Sequence, residues 1–349
     1  MKKYRLILIL LFFLLTPIFS EAKEYTFHFH QEFDVGENPS LYLDNLSGKI
    51  IINSHLIDKI IVDATKVVKA KNFEKAKKAS ERTKIKTKKR GSDVIIHTKY
   101  PKYRLFRHEK VRVNYHILVP EKTEIDLKTT SADINIERIK NNIDLSTTSG
   151  NIRVEDTSGD IFIKSTSGDV SLWDIFGGIK IRGTSSDIEL NDIEGDLKLD
   201  CTSGDVEIKN LKGDVEVSLT SGDLTLQRID GDIDATSSSG DMEIFQKRGF
   251  LNLESISGNI SVAIKRKVKT NISKGYQYMV GTVSGDVYFY ITKDTDAKVK
   301  LETVSGKIHT NLPLVLEDFS RKHLSGKLGS GESKIHIFTT SGDIKLKEY

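Results

Sequence analysis

The sequence predicts an all-β chain wound as a parallel β-solenoid, or β-helix, with one short N-terminal capping helix. Nine-residue strand-turn units build it, eighteen residues to the coil. Three observations carry that expectation. A turn residue recurs every nine positions: Ala132, Asn141, Gly150, Gly159, Gly168, Gly177, Ser186, Gly195, Gly204, Gly213, Gly222, Gly231, Gly240, Gly249 and Gly258. A fixed period of this kind marks a repeat architecture before anything else. The residues two and four after each turn are apolar, from Ile134 and Ile136 to Ile260 and Val262, and the one between is polar except at Phe162. Such alternation is the mark of a half-buried strand. Finally, the corners alternate in chemistry. Thr166-Ser167-Gly168-Asp169 and Thr202-Ser203-Gly204-Asp205 are of one kind, Ile193-Glu194-Gly195-Asp196 and Ile229-Asp230-Gly231-Asp232 of another. An antiparallel meander gives odd and even turns no reason to differ, so the parallel coil is favoured.

Coils stacked at the roughly 4.8 Å spacing of paired strands place Ser131, Ser149, Ser167, Ser185, Ser203, Ser221, Ser239 and Ser257 in one column. Glycine admits a positive φ at the corner, and the Asp or Asn after it is expected to bond its own turn amides. A single coil cannot cover its own apolar face, so the terminal coils need atypical covers.

The chain divides into residues 1–22, 23–130, 131–262 and 263–349. Lys2, Lys3 and Arg5 precede an apolar run from Leu6 to Leu15, and Ser20-Glu21-Ala22 puts small residues where a signal peptidase reads. This is the pattern of an export signal. Extended through Phe19, the apolar run makes roughly 21 Å of helix against a ~30 Å hydrocarbon core, so no transmembrane helix is expected in the mature chain. No cysteine lies near the cleavage region, which excludes a lipoprotein anchor. Periplasm, cell surface and medium are the compartments left open.

In residues 23–130, Tyr25 to Phe29, Leu41 to Asn53, Ile60 to Val68 and Val94 to Thr98 read as strands, and Leu46-Ser47-Gly48-Lys49 is an early copy of the corner. Asn72 to Arg82 has helical composition with Asn72 as N-cap, and is expected to cover the first coils with a solvated lysine face. After Val262 the step weakens, Gly285 lying three units beyond Gly258. The corner then returns irregularly at Ser284-Gly285-Asp286, Ser305-Gly306-Lys307 and Ser341-Gly342-Asp343. Leu324 to Gly331 reads as a loop that helps to cap, and Ile344 to Leu346 as the strand closing the stack.

Charge is separated along the chain. Loss of Lys2, Lys3, Arg5 and Glu21 with the signal lowers the formal net charge from +4 to +2. Lys66 to Lys110 holds 17 Lys or Arg against 4 acids, whereas Ser131 to Val262 holds 25 acids against 12 bases. A basic end on an acidic shaft points to an anionic partner. Lys102, Arg104, Arg107 and His108 beside Tyr100, Tyr103 and Phe106 suit a lipid headgroup or a glycan. Nucleic acid is not expected of an exported chain. The lone Cys201 cannot pair within the chain and falls in a column with Thr147, Ser165, Gly183, Leu219 and Ser237, where it reads as packing.

The corner Leu46-Ser47-Gly48-Lys49-Ile50, the strand-helix-strand passage, the strand ending Val119-Pro120, the Ser-Gly-Asp ladder and the close from Leu324-Ser325-Gly326 to Ser341-Gly342-Asp343-Ile344 together resemble the DUF4097 family of candidate adhesins. The resemblance spans essentially all of the mature chain. It implies a β-solenoid of the bacterial cell envelope, in some members linked to envelope-stress systems, and it brings no catalytic residue.

The function expected is therefore non-enzymatic binding of an envelope component, whether anionic lipid, glycan or protein, through the repetitive surface or the basic N-terminal cap. No residue is assigned to catalysis, cofactor binding or a metal, and the oligomeric state is left open. A calcium-stabilised β-roll is the alternative, but most units carry one glycine where the calcium-binding nonapeptide Gly-Gly-x-Gly-x-Asp carries more. A polysaccharide-acting enzyme needs two carboxylates converging in a cleft, and here the carboxylates are periodic and the corners too short to wall one. His28 and His30 on one strand supply only two ligands of a metal set.

Overall fold

Alternating branched side chains set the strand period, and the corners decide how the strands stack. A computed structural model describes residues 22–101, 109–265 and 275–349. Strand Ile161–Ser167 pairs in parallel with Ile179–Ser185, which pairs with Leu197–Ser203; Ile161 faces Ile179 and Ile179 faces Leu197, one coil of eighteen residues apart. The intervening strands Val170–Phe176, Ile188–Glu194 and Val206–Lys212 do the same on the opposite side. The result is a two-sided coil: a front face, a back face, and one apolar core between them running from Leu41 to Leu346.

The corner glycines fit where a side chain could not. Gly168 has φ +114°, and a Cβ there would lie 2.3 Å from the Gly150 carbonyl oxygen of the coil below. The following Asp or Asn bonds differently from expectation. It accepts not from its own turn but from the next coil: the Asp205, Asp223 and Asp241 amides donate to Oδ1 of Asp187, Asp205 and Asp223 at 2.9–3.0 Å. The other corner repeats this at Asp196, Asp214 and Asp232. An in-register stack brings the next amide closer to the carboxylate than its own turn does, so these bonds tie coil to coil.

Apart from Ile179–Ser185, which has Gly183 at the position, the strands of the regular array carry a third inward side chain besides the two read from the sequence. On the front face it is the column Thr147, Ser165, Cys201, Leu219, Ser237 and Ser255, all buried. The back face reaches its column, Ile139, Thr157, Ile175, Ile193, Leu211 and Ile229, through a left-handed residue immediately before it. Arg138, Asp156, Asp174, Asp192, Asn210 and Arg228 have φ of 49–60° and restore the inward phase that strict alternation would lose. Four of the six are Asp or Asn, the side chains most tolerant of that conformation. In the next coil Gln246 fills the column instead, buried, its amide donating to the Gly231 and Phe250 carbonyls.

Asn72 caps the helix Phe73–Arg82 by accepting from the Lys75 amide at 3.0 Å, and Thr83 stops it by bonding back to Ala79 and Ser80. Strands Lys23–Asp34, Lys59–Ala70 and Lys110–Pro120 form an antiparallel set on the back face. Tyr115–Pro120 runs beside Ile50–His55 of the stack, whereas residues 110–114 continue past the Ser47-Gly48 corner as an overhang. The helix caps this overhang, packing Ala76 and Ala79 on Val68 and Ala70 in a cluster separate from the main core. The open front end is finished instead by the hairpin Lys84–Arg90 and Asp93–Lys99, the second strand pairing with Leu41–Asp44.

The C-terminal end departs from two expectations. Residues 323–328 are a strand, not a loop, antiparallel to both Ala297–Thr303 and Val315–Phe319. The final strands do not close the stack. Ser333–Ser341 lies between Gln277–Ser284 and Ala297–Thr303, and Ile344–Glu348 lies between Val287–Ile291 and Ile308–Thr310. The step from Gly258 to Gly285 proves to be a single coil of 27 residues, Ile260 facing Val287.

Candidate functional surface

Two surfaces of opposite sign follow from this stacking. The first is a trough of about 1450 Å³ along the front face. Its floor is the strand backbone; one wall is the corner row with Asp160, Asp196, Asp214 and Asp232, the other the row two residues on, with Phe162, Lys180, Lys198 and Glu216. Ten carboxylates and three lysines line it, so it repels an extended polyanion. Burial, and then the Asp126 carboxylate one coil away, push the Asp144 carboxyl above its ordinary value. The corner carboxylates are occupied as acceptors for the next coil's amides, and among the described residues no group of three or more His, Cys, Asp and Glu is arranged to hold a metal.

The second surface is the basic N-terminal end. Lys71, Lys75, Lys77, Lys78 and Arg82 on or beside the helix, and Lys84, Lys86, Lys88, Lys89 and Arg90 on the edge strand, are all exposed. Among the described residues none of these ten has a carboxylate within ion-pair distance. The helix turns them outward because Ala76, Ala79 and Ser80 are its buried side, while Phe73 packs on Tyr25 and Phe27 at centroid distances of 5.9 and 6.1 Å. Lys66 is not part of the surface: burial lowers its pKa, and its Nζ donates to the Ser80 carbonyl at 3.1 Å in the last helical turn. Where the overhang passes the first corner, a cleft of about 640 Å³ adds Lys49, Lys69, Lys110 and Arg112 against Glu24 and Asp133.

Other residues singled out in the sequence fall as follows. Lys102, Tyr103, Arg104, Phe106, Arg107 and His108 lie outside the described residues. Tyr100 is a structural group rather than an interface aromatic: its hydroxyl donates to Asn45 Oδ1 at 2.9 Å, and burial pushes its pKa up to about 12. His30 bonds Asp63 at 2.7 Å, which raises its pKa, and His28 bonds Thr65. The Cys201 thiol faces the Ser203 carbonyl at 3.3 Å, and burial raises its pKa. The trough was missed by sequence reasoning, although the two rows flanking each strand start were there to be read as its walls.

Fold and surface together define a β-solenoid scaffold with short corners and a charged end. The chain belongs to the Toastrack family, DUF4097, whose profile matches residues 40–276 and 233–347. Among solved structures it is similar to a candidate cell adhesion protein of Clostridium sporogenes, at 12% identity over 94% of this chain and 100% of that one, with a TM-score of 0.21. It is also similar to a candidate adhesin of Bacteroides fragilis, at 13% identity over 91% of this chain and 96% of that one, with a TM-score of 0.34. A comparison with curated proteins gave no match. Among the described residues no helix is long and apolar enough to cross a membrane; the expected export signal, up to residue 21, lies outside them.

Proposed function

We propose that the protein is an exported, non-enzymatic binding protein of the bacterial envelope that docks on an anionic envelope component through its basic N-terminal end. The observation that carries this is the set of ten exposed basic side chains between Lys71 and Arg90 that have no ion-pair partner among the described residues. Charges that serve only solubility are ordinarily interspersed with the opposite sign, and the rest of this chain follows that habit with pairs such as Lys212 with Glu194 and Lys140 with Glu121. The acidic trough gives the molecule a polarity, directing a polyanion to the N-terminal end and away from the shaft.

The test is cosedimentation of residues 23–349 with anionic vesicles, neutral vesicles and purified cell-wall glycan, at low and high salt. Binding is expected to anionic targets only and to fade with salt as screening shortens. At about 1 kcal/mol for each lysine near an anionic surface, neutralising Lys75, Lys77 and Lys78 together should weaken vesicle binding roughly a hundredfold. Binding that ignores salt, or survives the triple substitution unchanged, defeats the proposal.

A further inference from the structure

The front face ends in two edge strands. Among the described residues, Lys84–Arg90 at the N-terminal end pairs with Asp93–Lys99 on one side only, and Val315–Phe319 at the C-terminal end pairs only with His323–Leu328. An edge strand presents a row of free amides and carbonyls that another strand can complete. Their directions differ. Asp93–Lys99 runs with the stack, so Lys84–Arg90 runs against it. Two antiparallel steps separate Val315–Phe319 from Ala297–Thr303, so it runs with the stack. Copies placed end to end on a common axis therefore bring these two edges together as an antiparallel pair, the better-paired arrangement.

Charge selects the same pairing. One edge carries Lys84, Lys86, Lys88, Lys89 and Arg90; the other carries Glu317, whose carboxylate also meets Lys327 of the neighbouring strand at 2.6 Å, and Asp318, 3.6 Å from His323. Joining like ends sets cations on cations or carboxylates on carboxylates, whereas joining unlike ends sets them against each other, so repulsion excludes the two symmetric dimers. Apolar surface is present as well: Val315, Leu316 and Phe319 are 69%, 54% and 64% exposed on the C-terminal edge. The lysine stems of the other edge can cover them while their ammonium groups reach the acids.

We propose that the occupant of these edges is a second copy of this chain. Val315–Phe319 of one copy adds as an antiparallel strand to Lys84–Arg90 of the next, so that the front sheet continues from copy to copy. The contact is heterologous and does not close, so it builds an open filament along the solenoid axis. Of the ten basic side chains, the five on Lys84–Arg90 enter the joint, and the five on or beside the helix stay on the overhang for an anionic target and recur once per copy along the filament.

The test is sedimentation velocity of residues 23–349 from micromolar to hundreds of micromolar, at low and high salt. One variant joins Lys84→Glu, Lys86→Glu and Lys88→Glu, which reverses the sign of that edge; another joins Glu317→Lys with Asp318→Lys. The wild type is expected to form oligomers that lengthen with concentration and shorten with salt. Each variant alone is expected to be monomeric with a native circular dichroism spectrum, and an equimolar mixture of the two is expected to regain oligomers in alternation. A wild type that stays monomeric at low salt, or stops at a dimer, overturns the proposal. So do variants that assemble like the wild type, or folded variants whose mixture fails to assemble. The Glu317→Lys, Asp318→Lys variant keeps the helix lysines, so its binding to anionic vesicles reports on the functional proposal separately.

Discussion

Replacing one corner glycine should cost more than replacing a glycine of the same backbone sign elsewhere, and the difference isolates what stacking contributes. Gly204 has φ +121°, and a Cβ on it would sit 2.1 Å from the Ser186 carbonyl oxygen and 2.6 Å from its carbon. Gly91, at φ +62° in a hairpin turn, has nothing within 4 Å of the same position. Gly91→Ala pays only for the left-handed backbone, about 1–2 kcal/mol. Gly204→Ala pays for its backbone, about 1–3 kcal/mol, and also for a contact roughly 1.4 Å short of van der Waals separation. The neighbour is backbone and cannot swing away, so the coils must part. That stretches the flanking bonds, Ser186 amide to Ser203 carbonyl at 3.0 Å and Ile188 amide to Asp205 carbonyl at 2.9 Å. Losing both adds about 1–3 kcal/mol, for a total of roughly 2–6 kcal/mol. Guanidinium unfolding of the two variants beside the wild type measures the difference, and amide exchange should show the loosening centred on the coils of Ser186 and Gly204. Equal midpoints for Gly204→Ala and Gly91→Ala would refute the close-stacking argument.

Two further outcomes are expected. The Ser330 hydroxyl, then the Glu332, Ser330 and Gly331 amides, hold the Asp296 carboxyl at about 2 against an ordinary 3.8. A depressed folded pKa contributes stability above the unfolded value that fades as pH falls through the folded one, so the clasp on Ser330–Glu332 should release between about pH 4 and 2. An NMR titration of Asp296 centred near 4 would contradict that assignment, and Asp296→Asn should flatten this part of the acid limb. Burial raises the Cys201 thiol and shields it, so alkylation of native protein should be slow and track global unfolding. Cys201→Ser should cost less than about 1.5 kcal/mol because Ser165 and Ser237 already fill that column and donate to the carbonyl two residues on, as a serine at 201 could to Ser203; fast labelling without denaturant would show a thiol more open than its packing implies.

The stack was legible because its signal is local and repeated. Glycine spacing, inward Ile, Leu and Val at two and four, and the eighteen-residue corner alternation all report positions that one coil must satisfy and every coil repeats. The serine column appears as drawn from sequence, Ser167 beside Ser185 and Ser185 beside Ser203. What escaped was of another kind. The aspartate after each glycine offers the same acceptor to its own turn and to the coil above, and only the stacking distance decides between them. The left-handed column is written as Asp156, Asp174, Asp192 and Asn210, but Arg138 and Arg228 share it and hide its purpose. The order of the last strands is non-local: Ile344 to Leu346 has the same alternation whether it ends the stack or enters it. For the basic end, composition supplied the charge, and the structure added that Ala76 and Ala79 turn the helix so that its lysines face out.

The late insertion of Ser333–Ser341 and Ile344–Glu348 beneath an earlier-made coil changes what the tail of the chain means. In an ordinary ladder of repeats, trimming the tail removes the last rung and leaves a shorter ladder. Here the tail is a keystone rather than a finial. A protease that clipped it would pull a storey from inside the building, stranding Ala297–Thr303 and Ile308–Thr310 above an empty level. Assembly of this end must therefore wait for residues 333–348, and their integrity is read out by Ala297–Thr303, Ile308–Thr310 and the strands stacked beyond them.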